Sequence, residues 1–212
     1  RLLLLCAHPR LTPEAAAALT LRHVLGVSTA DVACLFLLPT STMAARLTRA
    51  RRKLAGASFT IPQAAELSSR VAVSAEVAYL AFTAGYAPGS GGDVIGTDIA
   101  GEAIRLVRLI RSLVPATDAE LHALLALMLL QHSRRDARVR GGELVMLPDQ
   151  DRALWRYDEV DEALGLLKPL TDAPPASYLL QAMIAAEHAI APSSAKTAWN
   201  RIVTRYDALL TL

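Results

Sequence analysis

Residues 11–54 read LTPEAAAALTLRHVLGVSTADVACLFLLPTSTMAARLTRARRKL, and this stretch decides the fold. Thr12 is an N-cap residue, Pro13 takes the first helical position and Glu14 places a negative charge in the first turn. Leu19, Val24 and Leu25 supply the apolar positions, and Gly26 stops the helix. Ser28 opens a second helix, with Asp31 three residues on at capping-box spacing. Val32, Ala33, Leu35 and Phe36 form its buried side. Pro39 ends it, inside a tight break at Leu37-Leu38-Pro39-Thr40. A third helix is expected from about Ser41 to Ala55, closed by Gly56. Two short helices, a tight turn and a basic third helix make a helix-turn-helix, the geometry that lays a helix in the DNA major groove.

On a wheel of about 100° per residue, Met43, Leu47, Ala50 and Leu54 share one face and must pack on the first two helices. Thr42, Arg46, Arg49 and Lys53 cluster on an outward flank. Ser41, Ala45 and Arg52 continue that outward face, and Arg51 projects from the opposite flank. N-terminal residues of such a helix reach base edges and later cations meet phosphates. Ser41, Thr42, Ala45 and Arg46 are therefore the candidate base readers; Arg49, Arg52 and Lys53 are the candidate phosphate contacts. Ala44 and Ala45 offer no side-chain hydrogen bonds, so the helix should hold DNA by charge better than it discriminates sequence.

The rest of the composition agrees with helices. Hydrophobic residues make up 53% of the 212-residue chain and aromatics only 5%. Ala and Leu dominate, and period-2 β-branched runs are nearly absent, so the fold class is all-α. The net charge of +2 hides an asymmetry. Through residue 60 there are eight Lys/Arg against two acids; after it, fourteen against eighteen. The basic part suits a polyanion, and the acidic part argues against nucleic acid wrapping the remainder. The two cysteines, Cys6 and Cys34, lack CxxC spacing and imply no disulfide framework, which fits a reduced, cytoplasmic compartment. The longest apolar run, Leu121 to Leu130, contains His122 and is too short to span a bilayer, so no membrane is expected as a partner. The chain starts at Arg1, as if in mid-helix, and reads as part of something longer.

This divides the chain into residues 1–57, the helix-turn-helix domain, and residues 63–212, a helical C-terminal extension, joined by a linker at Ser58–Pro62. Further helices are expected at Gln63–Ala84, Asp98–Val114 and Thr117–His132, the last opened by a Thr117/Glu120 capping box. Its Leu121, Leu124, Leu125, Met128 and Leu129 leave little polar surface, which makes it the central buried helix. Gly85 to Gly92 reads as a loop. Gly141-Gly142 between short apolar segments suits a small hairpin. Three helices follow at about Asp151–Lys168, Ala176–Ile190 and Ala195–Leu210. Trp199, Ile202 and Tyr206 fit the start of a tetratricopeptide helix, although Val203 stands where that repeat has Gly.

These residues resemble region 4 of bacterial extracytoplasmic-function sigma factors. The resemblance rests on Leu11-Thr12-Pro13-Glu14, Leu19-Thr20-Leu21-Arg22, the Ser28–Ala33 second helix and the string Thr42-Met43-Ala44-Ala45-Arg46-Leu47-Thr48-Arg49-Ala50-Arg51-Arg52-Lys53-Leu54. The last is similar to the family's Thr-Val/Met-x-x-Arg-Leu-x-Arg-Ala-Arg signature. Tyr79–Phe82, Gly85-Tyr86, Leu124–Leu130 and Asp149-Gln150-Asp151-Arg152 with Trp155 look like the subgroup whose long C-terminal extension leads into tetratricopeptide-like helices. The resemblance implies a promoter −35 element as the DNA partner, with Thr42, Arg46 and Arg49 facing it. It also implies docking on the β flap of core RNA polymerase. Region 2, which melts the −10 element in that family, is missing from the chain, so it is expected to recognise DNA without initiating transcription by itself. Thr83-Ala84 replaces the family's Asn-Glu before Gly85-Tyr86.

No catalytic constellation stands out. Histidines 8, 23, 122, 132 and 188 show no paired spacing, and neither a phosphate loop nor a nucleophile elbow is present, so no enzyme activity, cofactor or metal is expected. Asp149, Asp151, Arg152, Trp155 and Asp158 form the densest polar-aromatic cluster of the extension. They read either as a capped helix start with Trp155 in the core or as an interdomain or partner contact, and the extension as a surface for a regulatory protein. The competing reading of the whole chain is a helical protein-interaction scaffold without sequence-specific DNA binding.

Overall fold

The structure, a computed structural model, describes residues 2, 6–57, 64–86, 99–112, 114 and 118–212. The chain folds as two compact units that divide between Ile110 and Arg111, whereas composition alone placed the division in the 58–62 stretch, which lies outside the described residues. The described residues are mostly helical and carry one two-stranded antiparallel ribbon.

The first unit contains α1 (Pro13–His23), α2 (Thr29–Leu35), α3 (Thr40–Lys53), α4 (Ala64–Tyr86) and most of α5 (Ile99–Arg111). Thr12 caps α1 by accepting from Ala15 N–H at 3.4 Å. Gly26 follows with φ +72°, a left-handed conformation that suits glycine. Ser28 caps α2, its hydroxyl accepting from Asp31 N–H at 3.1 Å and donating to the Asp31 carboxylate at 2.6 Å. The first bond is one half of the expected capping box; in the other, the Asp31 carboxylate accepts from the Ser28 hydroxyl where a capping box uses the Ser28 N–H. Ala16, Ala17 and Val77 form a small core patch with Leu11, Phe36 and Val73, so α1 lies directly on α4. Small alanines let the two backbones come close.

Gly85 was expected to start a loop. Instead α4 runs on to Tyr86, and an added Cβ at Gly85 would sit 2.8 Å from Ala100 N and 2.9 Å from Ile99 Cβ. This glycine lets the end of α4 cross the start of α5. The remainder of the expected loop, residues 87–92, and Asp98 lie outside the described residues. So do Thr117 and the capping box assigned to it.

The second unit is built around α6 (Ala119–His132). Ten of its 14 residues are buried, among them Leu124, Leu125 and Met128, as the sequence reading expected of a central helix. It packs on α7 (Tyr157–Leu167) and α8 (Ser177–Ile190), and α9 (Trp199–Leu209) packs on α8. Asp118 caps α6, accepting from Leu121 N–H at 3.0 Å. Glu120 serves a different helix: its carboxylate accepts from Tyr178 and Leu179 N–H, both at 3.2 Å, and so caps α8. Gly141 and Gly142, at φ +62° and +86°, turn β1 (Val139–Arg140) into β2 (Glu143–Leu144), the hairpin the glycine pair suggested. Two expected helix starts are corrected. Residues before Tyr157 and Trp199 form 3-10 turns, Arg152–Leu154 and Ser194–Lys196, in place of the first α-helical turns.

Candidate nucleic-acid interface

α2 and α3 meet at 102° across the four-residue break, within the range of DNA-binding helix-turn-helix units. Leu38 N–H returns to Ala33 C=O at 2.9 Å and Leu37 takes φ +53°, which turns the chain sharply. Pro39 is the N-cap of α3, so the helix begins at Thr40, one residue before its expected start, with no side-chain cap. Met43, Leu47 and Ala50 are buried and Leu54 is half-buried, which anchors α3 on α1 and α2 by the face the wheel assigned.

The opposite face is open. Ser41, Thr42, Ala45, Arg49, Arg52 and Lys53 are exposed, and Arg46 is half-buried. Thr48 donates to Ala44 C=O at 2.9 Å, and Arg51 reaches back to Thr48 on the other flank. Arg51 also helps hold His23 below its ordinary pKa, behind the larger effect of burial. α3 carries five cations and no acid, and none of those cations has a salt bridge among the described residues.

The start of α1 completes the site. Thr12, Glu14 and Ala15 line a groove of about 290 Å³ with Arg46, Arg49, Ala50 and Lys53. Glu14 is held below the usual carboxylate range by its own backbone N–H and the Thr12 hydroxyl, with Arg46 contributing. Sequence reasoning gave Thr12 and Glu14 only a capping role. Their place beside Arg46 and Arg49 depends on how α1 crosses α3, which no local spacing reveals.

In the second polar cluster Arg152 and Trp155 meet, while Asp149 and Asp151 have other surroundings. Trp155 is buried under the Arg152 guanidinium, 4.4 Å from the ring centroid, with Arg134 at 5.9 Å. Arg152 donates to His188 C=O at 3.0 Å, tying the turn before α7 to α8. Asp151 caps its own turn through Ala153 N–H, and Asp149 is exposed. Arg152 and Trp155 thus serve the packing of their own unit.

Among the described residues no cluster of three or more His, Cys, Asp or Glu could hold a metal ion, and no single helix is long and apolar enough to cross a membrane. Cys6 is buried and its thiol is pushed up to about 11 by desolvation, partly opposed by Thr20; Cys34 is exposed.

Residues 1–54 match the family model described as Sigma-70, region 4. Residues 70–170 match a family of unknown function, DUF6596. An uncharacterized protein of Rhizobium meliloti (strain 1021) is 41% identical over 213 residues, which cover 99% of this chain and 50% of that protein. The chain therefore spans about half the length of that relative. No solved structure matches it. The two family matches meet the structure differently: the first ends at Leu54, just past the end of α3, while the second begins inside α4.

Proposed function

We propose that the chain is the promoter-reading and regulatory part of a transcription initiation factor of the extracytoplasmic-function sigma type. α3 enters the major groove at the −35 element, while the N-terminal unit docks on the β flap of core RNA polymerase. The observation that carries this reading is the α3 face itself: five cations without an acid, on a helix set 102° to its partner helix. The match of residues 1–54 to sigma-70 region 4 supports the same assignment.

In this reading Ser41, Thr42, Ala45 and Arg46 meet base edges, and Arg49, Arg52 and Lys53 meet phosphates. Glu14, beside Arg46 and Arg49 on the groove wall, places one negative charge at the edge of the basic face. The C-terminal unit modulates access to DNA or polymerase; within it Arg152, Trp155 and the Asp151 cap hold the turn before α7 in place, and the exposed Asp149 beside them offers the partner contact. The compartment is the cytoplasm, where promoter and polymerase are.

The test is duplex binding by the full chain, followed by salt titration. With about four to six phosphate contacts, affinity should fall steeply between low and physiological salt. Changing Arg46 and Arg49 together to Ala should weaken binding by about 30-fold or more, at one to three kcal/mol per lost contact. Unchanged affinity in the double variant would remove α3 from the interface. Equal affinity for duplex DNA and heparin would favour a protein-binding scaffold with a merely basic face.

A further inference from the structure

α9 and its C-cap carry an apolar stripe that the C-terminal unit leaves open. Trp199, Val203, Tyr206 and Leu210 are 51%, 56%, 55% and 86% exposed. At about 100° per residue these four side chains fall within about 60° of one another. Successive steps of four, three and four residues are the spacing of a helix-pairing seam. The rotation of α9 is fixed from its other side: Ile202 is buried, and Arg205 reaches the buried Glu187 of α8 at 2.8 Å. Trp199 stands edge-on to His188 of α8, with ring centroids 5.4 Å apart. The largest side chain of the stripe is thus held in place before any partner arrives.

We propose that α9 of a second copy of this chain covers the stripe, the two helices running antiparallel about a two-fold axis. The order four, three, four reads the same in both directions. A two-fold pair needs that property, because each contact must occur twice. With the axis between Val203 and Tyr206, Trp199 meets the partner's Leu210 and Val203 meets the partner's Tyr206.

The charges along the seam agree with this pairing. Asp207 and Asn200 lie on one flank of the stripe and are exposed. At a rise of about 1.5 Å per residue, Asp207 comes within about 3 Å of level with the partner's Asn200, so the carboxylate can accept from the amide. The two Asp207 carboxylates stay at least about 7 Å apart along the helices. Arg201 and Arg205 lie outside the seam and face Glu187 at 3.6 and 2.8 Å. No like charges are opposed.

The area is sufficient for a weak complex. Four large side chains left half open or more present about 500 Å² on each copy. The pair would bury about 1,000 Å², the lower bound for a specific interface. Each complex then carries two copies of α3.

The experiment is sedimentation of the full chain across a concentration series. A reversible monomer–dimer equilibrium is expected, with a dissociation constant of about 10 μM. Val203→Glu places a charge at the centre of the seam and should weaken the dimer by about 100-fold or more, with an unaltered thermal melt because that side chain is exposed in the monomer. The register is tested at Asn200, opposite the partner's Asp207. Asn200→Lys should tighten the dimer by about threefold and Asn200→Glu should weaken it by about as much. A chain that stays monomeric up to about 200 μM overturns the proposal and leaves the stripe to a different protein segment. A dimer indifferent to Val203→Glu, or one that responds alike to Lys and Glu at position 200, also overturns it.

Discussion

α3 and α6 are both 14 residues long, and they have opposite surroundings. α3 buries three residues and presents five cations to solvent; α6 buries ten and ends in His132, which lies 3.1 Å from both carboxylate oxygens of Glu159 on α7. The difference extends to their units. In the C-terminal unit a buried and a half-buried carboxylate are matched: Glu187 by Arg205 and Arg201, and Glu159 by Arg135 at 2.9 Å. Burial raises the Glu159 carboxyl, but the hydrogen bonds from His132 and Arg135 more than offset this and hold it below the usual range. A helix that is all core needs every polar neighbour satisfied. A helix that reads a polyanion must keep its cations available, and must be fixed in place by a narrow apolar stripe alone.

That contrast can be broken at the core. Leu125 of α6 is fully buried, and Leu125→Ala should destabilise the C-terminal unit by about 2–5 kcal/mol through lost burial and the cavity left behind. Arg49→Ala on α3 should change stability by less than about 0.5 kcal/mol, because that side chain is exposed. Urea denaturation of both variants measures this. Comparable losses would mean that α3 is as structural as α6, and that its basic face is ordinary surface.

A smaller effect tests how α6 serves its neighbours. Glu120→Ala removes the carboxylate that caps α8 and leaves the Tyr178 and Leu179 N–H groups without it. The expected cost is about 1–2 kcal/mol, the size of a lost helix cap. Thermal unfolding should show the loss in the C-terminal unit with DNA affinity unchanged. An affinity change of several-fold would instead connect this cap to the reading head.

Legibility in the sequence followed the range of each interaction. The α3 face was readable because a 3.6-residue period is a local property, and Met43, Leu47 and Ala50 are buried where the wheel put them. The Gly141-Gly142 hairpin was readable because a two-residue turn needs positive φ. The capping of α8 by Glu120 was not readable because its partners lie 58 and 59 residues away. Gly85 was taken for a loop residue because its reason is the nearby backbone of Ala100, from another helix. Glu14 was read as a charge at a helix end, and its place among the arginines of the groove required the crossing of α1 over α3. Local pattern thus gave the helices and the identity of the exposed cations, while the groove they line is a tertiary product.

The smallest expected effect concerns the turn that orients α3. Leu37 adopts φ +53° and is 92% exposed, so its side chain contributes almost no burial while its backbone sits in the left-handed region. For a residue with a Cβ that conformation costs about 1–2 kcal/mol. Leu37→Gly removes the strain but adds chain entropy to the unfolded state, worth up to about 1 kcal/mol. The balance should stabilise the N-terminal unit by about 0.5–1 kcal/mol, visible as a small rise in its unfolding midpoint. DNA affinity should stay within about twofold, because the Leu38 N–H bond to Ala33 C=O and Pro39 still hold the turn. A stabilised unit with much weaker DNA binding would show that the stiffness of Leu37 itself holds the 102° angle. In that case the strain at this turn is part of how α3 is presented, and its counterpart in α6 does not exist, since a buried helix is oriented by its packing.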